Sequence, residues 1–259
     1  MPICMLFFVP AVLAAQEPDA PNLEQILAKH FEAMGGLDKL ASVKATKITA
    51  VSGNEPFLSP IVFESKQPGF TRHYFNNMGI MEMIFATSPK GGWSSADFSN
   101  NGKPDEFDIK GRKEQAGRYA KNLIFSHFGS SPFVGYKEKG LKVEYLGLVD
   151  FAEGKAHKVS LEYPDDGITL IYFLDAKSYL PAKVETRYSA TEDTEPNIAF
   201  DDYKKVNGIN VAHAWTEFHS ARGNIRAGQV QGTIQKIEIN PKIADSRFLP
   251  QVLKPTKKR

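Results

Sequence analysis

Six histidines, at positions 30, 73, 127, 157, 213 and 219, are the side chains best suited to hold a metal or move a proton near neutral pH. Only His213 and His219 are close in sequence. Six positions along a strand would put them on one face but about 20 Å apart, too far to share a metal. Asp165-Asp166 and Asp201-Asp202 are adjacent carboxylates. Neighbours on a strand face opposite sides, so neither pair can work as general acid and base, and Asp165-Asp166 sits where a tight turn takes aspartate. Gly92-Trp93-Ser94-Ser95-Ala96 approaches the G-x-S-x-G nucleophile elbow, but it lacks the last glycine. A polar loop containing Asn and Gly follows it, where the elbow must feed into a helix. No H-E-x-x-H, G-x-x-x-x-G-K-[ST] or G-x-G-x-x-G occurs. The expectation is a non-enzymatic chain with no metal and no cofactor. A hydrolase whose site is assembled from separate strands is the enzymatic alternative.

Cysteine chemistry is confined to Cys4. It lies within a short apolar run, Ile3–Ala15, that precedes the first charged side chain, Glu17, and ends in small residues. The run is too short to span a bilayer, which takes about 20 residues. It reads as a secretory signal peptide over residues 1–15, cleaved after Ala14 or Ala15, although no Lys or Arg precedes it. The expected mature chain then has no disulfide and no thiolate. It is expected in the periplasm, or less readily outside the cell.

The composition is that of a folded domain, with 42% hydrophobic and 24% charged residues. The formal net charge is +2, but Lys254, Lys257, Lys258 and Arg259 supply four cations, leaving residues 1–253 at −2. A protein that binds nucleic acid by neutralising phosphates needs a basic body, and this one has none. A single domain over residues 16–250 with a basic tail at 251–259 is the expected organisation.

The elements that must position any site begin with a helix capped by Asn22, whose Leu23, Ile26, Leu27, Phe31 and Met34 form one apolar stripe. Gly35-Gly36 ends it, and Leu37–Val43 adds one more turn. From Thr46 the pattern becomes short strands, near 46–52, 60–66, 70–77, 80–87 and 91–95. After Pro104 a second helix runs over about 112–127, with Ala116, Tyr119, Ala120, Leu123, Ile124 and His127 on its apolar stripe. Strands follow near 141–150, 155–163, 167–174, 182–190, 197–205, 210–220 and 227–240, with tight turns at Asp166-Gly167 and Asn207-Gly208. Short connections between consecutive strands mean antiparallel pairing. The predicted fold is α+β, a large curled antiparallel sheet, or half-open β-barrel, covered by two helices.

Several strands are apolar on both faces. In 80–87, Met81, Met83 and Phe85 oppose Ile80 and Ile84; in 167–174, Ile171 and Phe173 oppose Ile168, Leu170, Tyr172 and Leu174. An antiparallel sheet with one wet face should alternate. Either helices and curvature cover both faces, or an apolar cavity lies between the curled sheet and its helices.

Segments spread in order along the chain resemble LolA-like proteins, the outer-membrane lipoprotein-sorting group. They are Ile26–Gly36 with Leu37, Lys39, Leu40 and Val43; the Gly91-Gly92-Trp93 strand entry; Phe173–Lys183, with its turn-opening Asp175 and closing Leu180-Pro181; Phe200–Tyr203 with Val206–Ile209; and Ile237–Pro241 with Asp245, Ser246 and Phe248. The resemblance departs at Ala212 and His213, where the family commonly has a proline and an aromatic. It implies an incomplete barrel capped by helices, with an apolar pocket for the acyl chains of lipoproteins or other amphiphiles, and no cofactor. The expected function is a periplasmic carrier or chaperone for such chains. The expected lining is Phe75, Met81, Met83, Phe85 and Phe173 on the sheet, with Leu123 and Ile124 of the second helix closing over them as a lid. The alternative of a different class is an envelope assembly or docking module with a filled core.

Overall fold

The computed structural model describes residues 21–77, 80–97, 100–108, 110, 114–189, 196–219 and 228–253. The expected signal peptide and the basic end of the tail lie outside the described residues. Asn22 caps α1 (Leu23–Met34): its side chain accepts from the Gln25 amide, and the Gln25 side chain accepts from the Asn22 amide. Gly35 and Gly36 both hold positive φ, +125° and +102°, and turn the chain into α2 (Leu37–Ser42). A Cβ on Gly35 would run into the Gly208 carbonyl oxygen, so α1 seats on that turn only because the side chain is missing.

Thirteen strands follow among the described residues: β1 (Ala45–Asn54), β2 (Phe57–Lys66), β3 (Phe70–Asn77), β4 (Met81–Ser88), β5 (Gly91–Ala96), β6 (Asp105–Asp108), β7 (Lys142–Phe151), β8 (Gly154–Tyr163), β9 (Ile168–Asp175), β10 (Pro181–Tyr188), β11 (Asn197–Val206), β12 (Ile209–His219) and β13 (Gly228–Ile239). α3 (Ala116–Ser126) stands between β6 and β7. The strands form one antiparallel sheet in the order β6-β5-β4-β3-β2-β1-β13-β12-β11-β10-β9-β8-β7. Two meanders are thus fused where β1 pairs with β13, Ile48 opposite Ile237. The two free edges, β6 and β7, are consecutive in the chain, and the segment between them carries α3. The fold is the expected α+β curled, unclosed sheet, with α2 as a short third helix.

β6 is a strand that the sequence pattern does not show. Its residues are Asp105, Glu106, Phe107 and Asp108, poor strand formers with one apolar side chain. Pairing with β5, Gly91 opposite Asp108, overrides the propensity, and the charges suit an edge.

α3 is buried on more sides than its expected stripe, because Asn122 and Phe125 are covered as well as Tyr119, Ala120, Leu123 and Ile124. Phe125 stacks on Phe63 of β2 at 3.9 Å and meets Phe128 at 5.0 Å and Trp215 of β12 at 5.1 Å. Asn122 donates to the Thr71 hydroxyl (2.9 Å) and the Phe85 carbonyl (3.3 Å). These contacts pack α3 into the concave face as a core element.

The convex face over β2–β5 is covered by the C-terminal segment. Ile84, Ala86 and Trp93 form a second small core with Leu253. Trp93 donates to the Phe248 carbonyl at 2.8 Å, and the Leu253 amide donates to the Gly102 carbonyl at 2.8 Å. Beneath it Glu64, only 4% exposed, accepts from Arg72 (3.1 Å) and Arg247 (2.9 Å).

Candidate ligand-binding cleft

The flank of α3 that carries Asn122 and Phe125 is sealed against the sheet, but the flank that carries Tyr119, Leu123 and Ser126 borders a cleft of about 470 Å³. Its walls come from the ends of the elements around α3. Val43 and Ala45 contribute from the α2–β1 junction, Pro68 and Phe70 from the β2–β3 turn, and Pro132, Val134 and Leu141 from the connection into β7. The β8–β9 turn, Tyr163–Asp166, closes one side, where the Tyr119 hydroxyl donates to Asp166 at 3.1 Å. Lys44, Lys66 and Lys139 also line the cleft.

A second cavity of about 40 Å³, room for a water or two, lies deeper among Met34, Ile124, Phe128, Tyr172, Val211 and Ala212. His127, Ser130 and Pro132 line both spaces. His127 therefore stands as a partition. Its Nδ1 lies 3.4 Å from the Tyr172 hydroxyl and its Nε2 3.5 Å from the Tyr163 hydroxyl. Burial, then the nearby Lys139 charge, lowers its pKa to about 3, so the ring is neutral. Burial likewise raises the pKa of both tyrosines.

α1 is fastened to the same connection by His30, which is fully buried. Nδ1–H donates to the Tyr179 carbonyl at 3.0 Å, and Nε2 accepts from the Ser131 hydroxyl at 2.9 Å. Burial holds its pKa down at about 4, against a smaller upward effect of the Tyr179 carbonyl.

The expected lining residues separate into three groups. Phe75, Met81, Met83 and Phe85 share one face of the β3–β4 pair, with Phe75 opposite Met83, and Phe75 and Phe85 belong to the main core. Leu123 lines the cleft and Ile124 the small inner cavity. Phe173 is not with them. It lies on the outer face with Ile171 and Ala156, stacked on Phe151 at 5.3 Å, with Lys158 and Lys183 over its ring. Alternation along β9 leaves Leu170, Tyr172 and Leu174 for the concave side, all members of the main core. The expectation that Phe173 points inward is corrected on that ground. The cleft also uses residues that periodicity does not single out, Phe70, Pro132, Val134 and Leu141. They sit at strand ends and in a connection, where only the tertiary fold brings them together.

Among the described residues no three His, Cys, Asp or Glu side chains come together as a metal would need. His213 lies against the Val211 carbonyl (2.9 Å) and His219 against Glu217 (3.7 Å). No helix among the described residues is long and apolar enough to cross a membrane.

No sequence-family profile matches the chain, and no curated protein matches it by sequence. Solved structures do match it by shape. A LolA superfamily protein from Nitrosomonas europaea superposes with a TM-score of 0.57 at 8% identity, over 89% of this chain and 98% of that one. A DUF1329 family protein from Desulfovibrio piger gives 0.55 at 9% identity, over 85% and 95%. A protein described as an outer membrane lipoprotein-sorting protein domain, from Vibrio parahaemolyticus, gives 0.52 at 11% identity, over 88% and 95%. The fold is LolA-like.

Proposed function

We propose that the chain is a non-enzymatic carrier that takes the acyl chain of a lipoprotein or another amphiphile into the cleft beside α3. Its place of work would be the periplasm, reached by a signal peptide over residues 1–15 and leaving a single domain over residues 16–250. The observation that carries this reading is an apolar-walled space of about 470 Å³ at the uncovered flank of α3 in a LolA-like fold. Ligand pockets run to roughly 300–1,000 Å³. An acyl chain burying on the order of 300 Å² has roughly 7 kcal/mol available before association costs, so micromolar binding is physically reasonable. Besides the outward-facing Phe173, the site differs from the sequence expectation in where the chain enters. It enters at Leu123, Phe70 and Leu141, and Phe75, Met81, Met83 and Phe85 do not line that cleft.

The full chain, purified from its native envelope and extracted with organic solvent, should yield lipid. Titration with the neutral probe 1-N-phenylnaphthylamine should saturate, and Val134→Trp, which fills the cleft from a half-buried position, should weaken it about tenfold with little change in Tm. Absence of both lipid and probe binding would refute the carrier.

The filled concave face, centred on Phe125, favours a second reading, an envelope docking module that holds no ligand. Saturable probe binding blocked by Val134→Trp would exclude it.

A further inference from the structure

The cleft wall carries three lysines, and they are not equivalent. Lys66 is neutralised, donating to Asp245 and to the Ile243 carbonyl. Lys44 and Lys139 have no carboxylate at ion-pairing distance among the described residues. Each Nζ donates instead to a backbone carbonyl, Lys44 to Ala41 at 2.9 Å and Lys139 to Val134 at 2.7 Å. Both acceptors belong to the segments that flank the cleft, so the two ammonium groups are held at its edge with N–H donors to spare. The carboxylates of the cleft, Asp165 and Asp166, sit on the β8–β9 turn, and Asp166 is engaged by Tyr119.

We propose that the cleft selects amphiphiles with an anionic headgroup, a carboxylate or a phosphate, which Lys44 and Lys139 hold while the chain lies against Leu123 and Phe70. This rests on the carrier reading above. Two features of the electrostatics agree with it. The Lys139 pKa is lowered first by burial and then by the charge of Lys44, against a smaller upward effect of Glu138, and the Lys139 charge reaches His127 inside the cleft. The two ammonium groups repel one another across a space that one anion would relieve. A neutral or cationic headgroup would leave that repulsion in place or add to it.

The test is displacement of 1-N-phenylnaphthylamine from the full chain by amphiphiles with one sixteen-carbon chain. Palmitate offers a carboxylate, palmitoyl lysophosphatidylglycerol a phosphate, monopalmitoylglycerol no charge, and hexadecyltrimethylammonium a positive charge. The two anions should displace the probe at concentrations about tenfold below the neutral lipid, the effect of two partly exposed ion contacts, with the cation weakest. In the Lys44→Met/Lys139→Met variant the preference of the two anions over the neutral lipid should fall below threefold. Preference for palmitate alone would assign the site to carboxylates, and for the lysophospholipid alone to phosphates. Equal displacement by all four lipids overturns the headgroup inference and leaves the carrier standing. Failure of every lipid to displace the probe overturns both.

Discussion

Replacing His30 should change how stability depends on pH in a way that no surface histidine would reproduce. The ring is fully buried, donates to the Tyr179 carbonyl and accepts from Ser131, whose hydroxyl oxygen also accepts from the Phe133 amide (3.3 Å). A proton on Nε2 would therefore bring an unpaired charge into the core. With a folded-state pKa of about 4 against 6.5 in the unfolded chain, the unfolded state takes up the proton first as pH falls. The contribution of His30 is complete above about pH 6.5, drains away as pH falls towards 4, and changes no further below that. The loss amounts to about 2 kcal/mol at pH 5 and about 3 kcal/mol at pH 4. His30→Gln cannot titrate. At pH 7.5 it should be less stable than the wild type by about 2 kcal/mol, for a lost buried hydrogen bond and a small cavity. By pH 5 the two proteins should be nearly equal. Urea denaturation followed by the fluorescence of Trp93 and Trp215 at the two pH values measures the gap. His73 and His127, which are also held neutral, act in both proteins and cancel in the difference. A gap that stays constant from pH 7.5 to 5 would refute the reasoning.

Four further outcomes are expected. Phe125→Ala should cost about 3–5 kcal/mol in urea denaturation, because it empties the centre of the aromatic stack; a cost below about 1 kcal/mol would show that α3 is a loosely held lid. Gly35→Ala should lower the Tm by several degrees, since a Cβ there meets the Gly208 carbonyl, whereas unchanged or raised stability would mean that α1 does not seat on that turn. Glu64→Gln should destabilise the chain by about 3–5 kcal/mol by leaving Arg72 buried and unpaired, and should expose the bond after Arg247 to trypsin; native-like resistance would contradict the C-terminal strap. Phe173→Ser should leave probe affinity within twofold of wild type, because its ring lies on the outer face, and a tenfold loss would place the ligand on that face.

Local signals account for most of the frame. The Asn22 cap, the Gly35-Gly36 stop and the Asn207-Gly208 turn each act within a few residues, and the structure has all three where the pattern puts them. Twelve of the thirteen strands carry enough apolar or β-branched residues to be seen, and β6 does not because its neighbour imposes it. The site was less legible for a geometric reason. Alternation divides a strand into two faces without saying which is concave, and both faces of β9 are apolar. Phe173 and Tyr172 are therefore equivalent in sequence and opposite in the fold. Along α3 the stripe identifies Leu123, but Asn122 and Phe125 are buried by contacts with β2 and β3 that no helical period announces. The cleft is assembled from strand ends and the connection into β7, so its walls leave almost no periodic signature.

The most direct measurement of where a chain binds is photo-crosslinking of the full protein with a sixteen-carbon fatty acid bearing a diazirine near its methyl end. Adducts would be mapped by peptide mass spectrometry. The cleft predicts labelling concentrated on the α3 peptide around Leu123, the β2–β3 turn at Pro68–Phe70 and the connection from Pro132 to Leu141, reduced in Val134→Trp and by excess unlabelled palmitate. Labelling concentrated on the outer-face peptides that carry Phe151 and Phe173, or labelling that excess palmitate fails to reduce, would contradict it.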